Sequence, residues 1–136
     1  MSKLYMLDTN MVSYILKGKS AKARARLEGL EGIACVSSIT VGEIEYGLAR
    51  SANSARLRTA AGAFLAHMEV LPWDGEAAEA YGLLRAKLEA AGRPLAALDM
   101  LIAAHAVAVD AVLVTHDKVF QYVKDLRGRE DWATDV

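Results

Sequence analysis

Short apolar runs alternate with longer stretches of helical spacing along most of the chain. Residues 3–7 form an apolar run that stops at Asp8-Thr9-Asn10, side chains that end strands and cap helices. Residues 11–17 continue with apolar groups at Met11, Tyr14 and Ile15, a helical repeat. Residues 33–37 predict a second strand, closed by Ser37, Ser38 and Thr40 as caps for a helix. A helix pair is predicted over 41–50 and 55–66, separated by Ser51-Ala52-Asn53-Ser54. Residues 69–71 read as a short third strand ended by Pro72. A long amphipathic helix over 75–91 then runs into Gly92-Arg93-Pro94. An alanine-rich helix over 97–109 leads to a fourth strand at 111–115. A short helix at 118–122 and an irregular tail through Trp132 complete the pattern.

Strands separated by helices of this length need crossover connections, which are right-handed and make the sheet parallel. A parallel sheet is covered on both faces, so its strands read as unbroken apolar runs, as these do. The expectation is one α/β domain over residues 1–136, with a mainly parallel sheet of four to five strands and helices on both faces. No repeat, low-complexity tract or linker interrupts it.

Composition adds compartment and class. With 54% hydrophobic and 24% charged residues the chain is far from the balance of disordered proteins. The single cysteine, Cys35, excludes an internal disulfide framework and suits a reducing compartment. The few apolar residues before Asp8 are too short for a signal-peptide core, and residues 95–109 are interrupted by Asp99 and His105 and too short to span a bilayer. A cytoplasmic protein without membrane attachment is expected. The net charge of −1 offers no general attraction to nucleic acid, but the charge is uneven. Lys17, Lys19, Lys22, Arg24 and Arg26 fall together with no acid among them, and Arg50, Arg56 and Arg58 form a second basic run. Two readings stay open: a solvated helical face, or a grip on a phosphate backbone.

The acids carry the chemistry. In an open α/β sheet, ligands bind beyond the carboxyl ends of the strands. Asp8 comes directly after the first strand and Asp117 lies two residues past the fourth. Glu43 falls in the first turn of the helix after strand two, and Asp99 opens the alanine-rich helix. The topology directs these four distant acids to one rim. Two carboxylates about 4 Å apart repel by roughly 4 kcal/mol at an effective dielectric near 20, so crowding them gains nothing unless a cation neutralises them. Oxygen-only donors suit Mg²⁺ or Mn²⁺, whereas one cysteine and three scattered histidines offer no zinc spacing. Each acid also has a plainer role open to it: Asp8 and Asp117 as helix caps, Glu43 and Asp99 as complements to a helix dipole. Periodicity does not separate Glu43 from Glu45. Glu43 shares a stripe with Ile39, Tyr46 and Gly47, while Val41, Ile44 and Leu48 form a competing one.

Four segments occur in order: Met6-Leu7-Asp8-Thr9-Asn10, then Ser37-Ser38-Ile39-Thr40-Val41-Gly42-Glu43-Ile44-Glu45-Tyr46-Gly47, then Asp99-Met100-Leu101-Ile102-Ala103-Ala104-His105-Ala106, then Leu113-Val114-Thr115-His116-Asp117. Together with Glu130-Asp131-Trp132 they resemble the PIN-domain ribonucleases, specifically the VapC toxins of VapBC toxin–antitoxin systems, over nearly the whole chain. The resemblance implies that Asp8, Glu43 and Asp99 are metal-binding catalytic acids, with Asp117 a fourth acid of the same pocket, and that Asn10 and Thr115 support the metals or their waters. It implies Mg²⁺ or Mn²⁺ dependence and a metal-activated water attacking a phosphodiester. It also implies a homodimer, and a VapB-type antitoxin whose C-terminal segment lies across the active site. The substrate implied is tRNA, often initiator tRNA in its anticodon stem-loop, with the run from Lys17 to Arg26 gripping flanking phosphates.

Two departures stand out. His116 occupies a place where asparagine is commoner and joins the supporting polar group. Pro94-Leu95-Ala96-Ala97 replaces a glycine-containing turn and bears on the pose of Asp99. Two other readings are weighed. An antitoxin-binding module with weak or lost catalysis is the first. An aspartyl phosphatase is the second, but it wants an acid where Asn10 stands. His67, His105, Cys35, Trp73 and Trp132 read as packing residues, and no glycine-rich phosphate loop is present.

Overall fold

The structure is a computed structural model that describes residues 2–136. The elements in chain order are β1 (Leu4–Leu7), α1 (Thr9–Leu16), α2 (Ala21–Glu28), β2 (Ile33–Ser37), α3 (Ser38–Ala49), α4 (Ser54–Ala66), β3 (Glu69–Leu71), α5 (Gly75–Ala90), α6 (Ala97–Ala108), β4 (Val112–Val114), a 3₁₀ turn (Lys118–Tyr122) and β5 (Gly128–Glu130). The strands form one sheet in the order β3-β2-β1-β4-β5, and every pairing is parallel. The α/β class, the parallel sheet and five strands, the upper of the two expected numbers, are therefore established.

Alternation along the central strands divides the core into two layers, because successive side chains point to opposite faces. Met6, Cys35 and Leu113 pack with Leu84, Leu88, Met100 and Ile102 of α5 and α6 on one face. Leu7, Val36 and Val114 pack with Met11, Val12 and Ile15 of α1 and with Phe64 of α4 on the other. Helix α3 belongs to both layers: Ile39 joins the first and Val41 and Ile44 the second. It therefore crosses the carboxyl edge of the sheet, where the strands release the chain. Gly92, at φ +68°, ends α5 in the left-handed region, as the sequence predicts for a helix stop.

Two elements differ from the sequence expectation. The sequence marks α2 only as a basic run, because Ala23 is its single buried residue and no apolar stripe distinguishes it. Strand β5 falls in a tail expected to be irregular; Gly128-Arg129-Glu130 has no apolar signal and pairs with the free edge of β4. Helix α3 also starts earlier than expected, at Ser38, so Glu43 lies in its second turn and not its first.

Candidate active site

Asp8 sits where β1 passes into α1. Its amide still pairs with the Val114 carbonyl at 3.1 Å, continuing the ladder, while its Oδ1 accepts the Met11 amide at 2.8 Å and caps α1. The side chain is buried. Asp117 does the same at the end of β4, its Oδ1 accepting the Val119 amide at 2.9 Å to cap the 3₁₀ turn. Both acids fill the plainer capping role, and both are members of the acidic rim. Fully buried Thr115 joins them: its Oγ1 accepts the Asp117 amide at 3.0 Å, and its hydroxyl hydrogen-bonds Asp8.

Glu43 is placed by α3 and aimed by α1. The Thr9 hydroxyl donates to Glu43 Oε1 at 2.6 Å and also lies 3.3 Å from the buried hydroxyl of Thr40. Thr9 is the functional residue that sequence reasoning misses; it stands beside Asp8 as one more capping type, and only the fold brings it to Glu43. Asp99 lies in the first turn of α6, whose cap position, Ala96, has no side chain able to cap. In the preceding loop the Arg93 guanidinium stacks 4.4 Å from the Tyr122 ring, and the altered turn still leaves Asp99 close enough to feel the charges of Asp117 and Glu43.

Electrostatics tie the four together. Burial lifts Asp8 from an ordinary 3.8 to about 6, against the hydrogen bonds from Thr115 and Met11, and the charges of Asp99 and Asp117 add to the rise. Asp99 is raised by burial and then by the charges of Asp117 and Glu43. Asp8 and Asp99 thus each feel two of the other acids. No ion pair of the described residues involves any of the four. An all-oxygen, like-charged set without a basic partner fits a hard divalent cation. Among the described residues, no three acids, histidines or cysteines are gathered tightly enough to hold an ion by themselves. Mg²⁺ and Mn²⁺ keep several waters and share phosphate oxygens, so they call for fewer protein ligands than a closed site.

The remaining predicted residues divide. Asn10 is exposed, and its side chain makes no hydrogen bond to another described residue. His116 turns its Nδ1 to Asp131 Oδ2 at 2.8 Å, with Tyr14 edge-on to its ring. In the basic run, Arg24 donates to the Ile15 carbonyl at 2.9 Å, and Arg26 pairs with Glu130 at 3.1 Å and stacks 5.2 Å from the Trp132 ring. Lys17, Lys19 and Lys22 are exposed and form no ion pair with a described residue. Lys17 shares with Thr9 and Glu43 the lining of a cavity of about 240 Å³ beside the rim. Glu45 is a surface residue paired with Arg58 at 3.4 Å, which leaves Glu43 as the acid of α3 that faces the rim.

The family model described as PIN domain matches residues 5–126. The chain is 36% identical over 130 residues to the tRNA(fMet)-specific endonuclease VapC of Shigella flexneri, covering 95% of this chain and 98% of that protein. It is 32% identical over 126 residues to ribonuclease VapC2 of Rickettsia felis, covering 90% and 94%. Among solved structures, VapBC2 from Rickettsia felis bound to a promoter DNA fragment superposes with a TM-score of 0.90 at 31% identity, covering 95% of this chain and 98% of that one. DNA-bound VapBC from Salmonella typhimurium gives 0.89 at 34% identity, covering 97% and 99%.

Proposed function

This chain belongs to the PIN-domain family, among the VapC ribonucleases, and on that premise we propose that it is the endoribonuclease toxin of a toxin–antitoxin pair, cutting tRNA with the help of Mg²⁺ or Mn²⁺. The observation that carries the proposal is the rim of Asp8, Glu43, Asp99 and Asp117, four acids from distant parts of the chain with no ion-pair partner among the described residues.

Asp8, Glu43, Asp99 and Asp117 would hold one or two divalent ions. When bound, such ions supply the Lewis acidity that activates water and stabilises charge on a phosphodiester in attack. The chain's own groups do the positioning. Met11 N–H and Thr115 fix the Asp8 carboxylate, Thr9 fixes one oxygen of Glu43, and Thr115 ties Asp8 to Asp117. Lys17, Lys19 and Lys22 offer ammonium groups to flanking phosphates, while Arg24 and Arg26 are engaged within the fold and contribute less. The net reaction adds water across one phosphodiester, breaking the bond from phosphorus to the 3′ oxygen. Initiator tRNA is the substrate we favour, on the strength of the tRNA(fMet)-specific relative. A VapB-type antitoxin is the proposed inhibitor, the solved neighbours being VapBC complexes. The active form is proposed as a cytoplasmic homodimer; no helix of the described residues is long and apolar enough to cross a membrane.

Retention of the whole acidic rim disfavours a binding module that has lost catalysis. The deciding experiment incubates purified, antitoxin-free protein with total tRNA, with and without Mg²⁺ or Mn²⁺, beside the Asp99→Asn variant. Discrete cleavage that needs metal and Asp99 is expected. Cleavage at full rate in excess chelator, or by Asp99→Asn, overturns the mechanism; no cleavage of any RNA by folded protein with metal returns the molecule to an antitoxin-binding role.

A further inference from the structure

Two of the acids ride on α3 and α6, which touch each other but share no strand. The sheet sets their positions coarsely, through β2 and β4 on either side of β1, and contacts linking the two helices refine the offset. The structure holds two such contacts at the start of α3, both polar. Ser37, fully buried, caps α3 by accepting the Ile39 amide at 3.1 Å, and the same hydroxyl lies 2.8 Å from Nδ1 of His105 on α6. Its neighbour Ser38 accepts the Trp73 amide at 3.0 Å, and the Trp73 indole N–H donates to the Leu101 carbonyl, again on α6, at 2.9 Å.

We propose that this pair of bridges, Ser37–His105 and Ser38–Trp73–Leu101, is a brace that sets the separation of α3 from α6 and hence of Glu43 from Asp99, with His105 and Trp73 as positioning residues for the acidic rim. The inference rests on the metal-site reading above. A histidine buried in an alanine-rich helix is otherwise unexplained, since an apolar side chain would pack there without needing a partner. Burial holds the imidazole below its ordinary acidity range, against the charge of Asp74, so the ring stays neutral and suited to a hydroxyl partner. Packed side chains alone permit a range of helix offsets. A short hydrogen bond between groups 68 residues apart permits few. Ser37 stands six residues before Glu43, and His105 six after Asp99, so a shift at the brace is carried along each rigid helix to its acid.

The test uses His105→Leu, His105→Asn and Trp73→Phe in the full chain. Trp73→Phe keeps an aromatic ring and loses the N–H, at a half-buried site, so it remains informative should His105→Leu fail to fold. Two readouts are taken beside kcat and KM on RNA: Mn²⁺ affinity by paramagnetic resonance, and the distance distribution between spin labels at Ala49→Cys on α3 and Leu98→Cys on α6, measured without metal. Both labelled positions are exposed, and the native Cys35 is buried. His105→Leu is expected to broaden or shift the distribution, weaken Mn²⁺ binding about tenfold and lower kcat about 10- to 100-fold, with KM within about twofold. His105→Asn, which restores a polar partner to Ser37, should recover most of each loss, and Trp73→Phe should show the same pattern more weakly. An unchanged distribution in folded His105→Leu and Trp73→Phe overturns the brace, whatever the nuclease does. A changed distribution with wild-type Mn²⁺ affinity overturns its role in the site. Absence of Mn²⁺ binding by the unmutated protein sinks the metal reading and, with it, the purpose assigned to the brace, while leaving the brace itself to stand or fall on the distances.

Discussion

Asp8 has two tasks for one carboxylate, and the conflict between them is measurable. As a cap it needs only an oxygen toward the Met11 amide, which an asparagine also supplies. As a buried charge beside Asp99 and Asp117 it costs folding free energy whenever it is ionised. Its folded-state value of about 6 lies above the ordinary 3.8, so above pH 6 the folded protein bears the whole cost. As pH falls from 6 toward 4 the cost is relieved, and below 4 it is gone. Asp8→Asn is therefore expected to stabilise the metal-free protein by about 1–3 kcal/mol at pH 7.5 and by almost nothing at pH 4, while abolishing cleavage. Denaturant titrations in chelator at both pH values check this, and equal stability of the two proteins at pH 7.5 contradicts it. Thr9 gives a second contrast. Thr9→Val keeps the shape but removes the donor to Glu43, with an expected 10- to 100-fold loss in kcat/KM on RNA, roughly what an outer-shell partner contributes. Glu45→Ala breaks only an exposed pair and should leave activity within about threefold.

At the scale of elements, what the sequence discloses depends on what stabilises each one. Strands β1, β2 and β4 lie within the core, so their apolar runs announce them, and with them the positions of Asp8 and Asp117. Helix α2 and strand β5 are illegible because polar groups about a hundred residues apart secure them. Ser20 and the Lys22 amide bind Asp135, while Arg26 and the Trp132 indole share Glu130. No local pattern encodes such pairings, and the same reason hides Thr9, whose partner is 34 residues away. Asp135→Ala should accordingly release α2, seen as faster amide exchange over Ala21–Glu28 without change in the central strands. The lysines that α1 and α2 leave exposed make a separate prediction. Changing Lys17, Lys19 and Lys22 together to glutamine should lower the dependence of log RNA affinity on log salt by about 2, at roughly 0.7 for each phosphate they neutralise. Arg26→Gln should move it little, because that guanidinium is already held by Glu130 and Trp132.

For the whole molecule, the proposed metal site would couple folding to its cation. A chain of net charge −1 that gathers four acids at one sheet edge holds that arrangement at some cost to stability, and a divalent cation is the natural compensation. By mass action an ion present at a hundred times its dissociation constant stabilises the folded state by about 2.7 kcal/mol, comparable with the cost of ionised Asp8 at pH 7.5. The Asp8→Asn variant escapes the cost but forfeits most of the gain, since it removes one charged ligand. The order of stability should therefore invert with metal: in chelator Asp8→Asn melts above the unmutated protein, and in saturating Mg²⁺ or Mn²⁺ it melts level with it or below. Paired thermal melts at pH 7.5 read this directly, with no RNA present. A variant that stays equally ahead in chelator and in metal would mean that Asp8 is crowded by its neighbours for some purpose other than holding an ion.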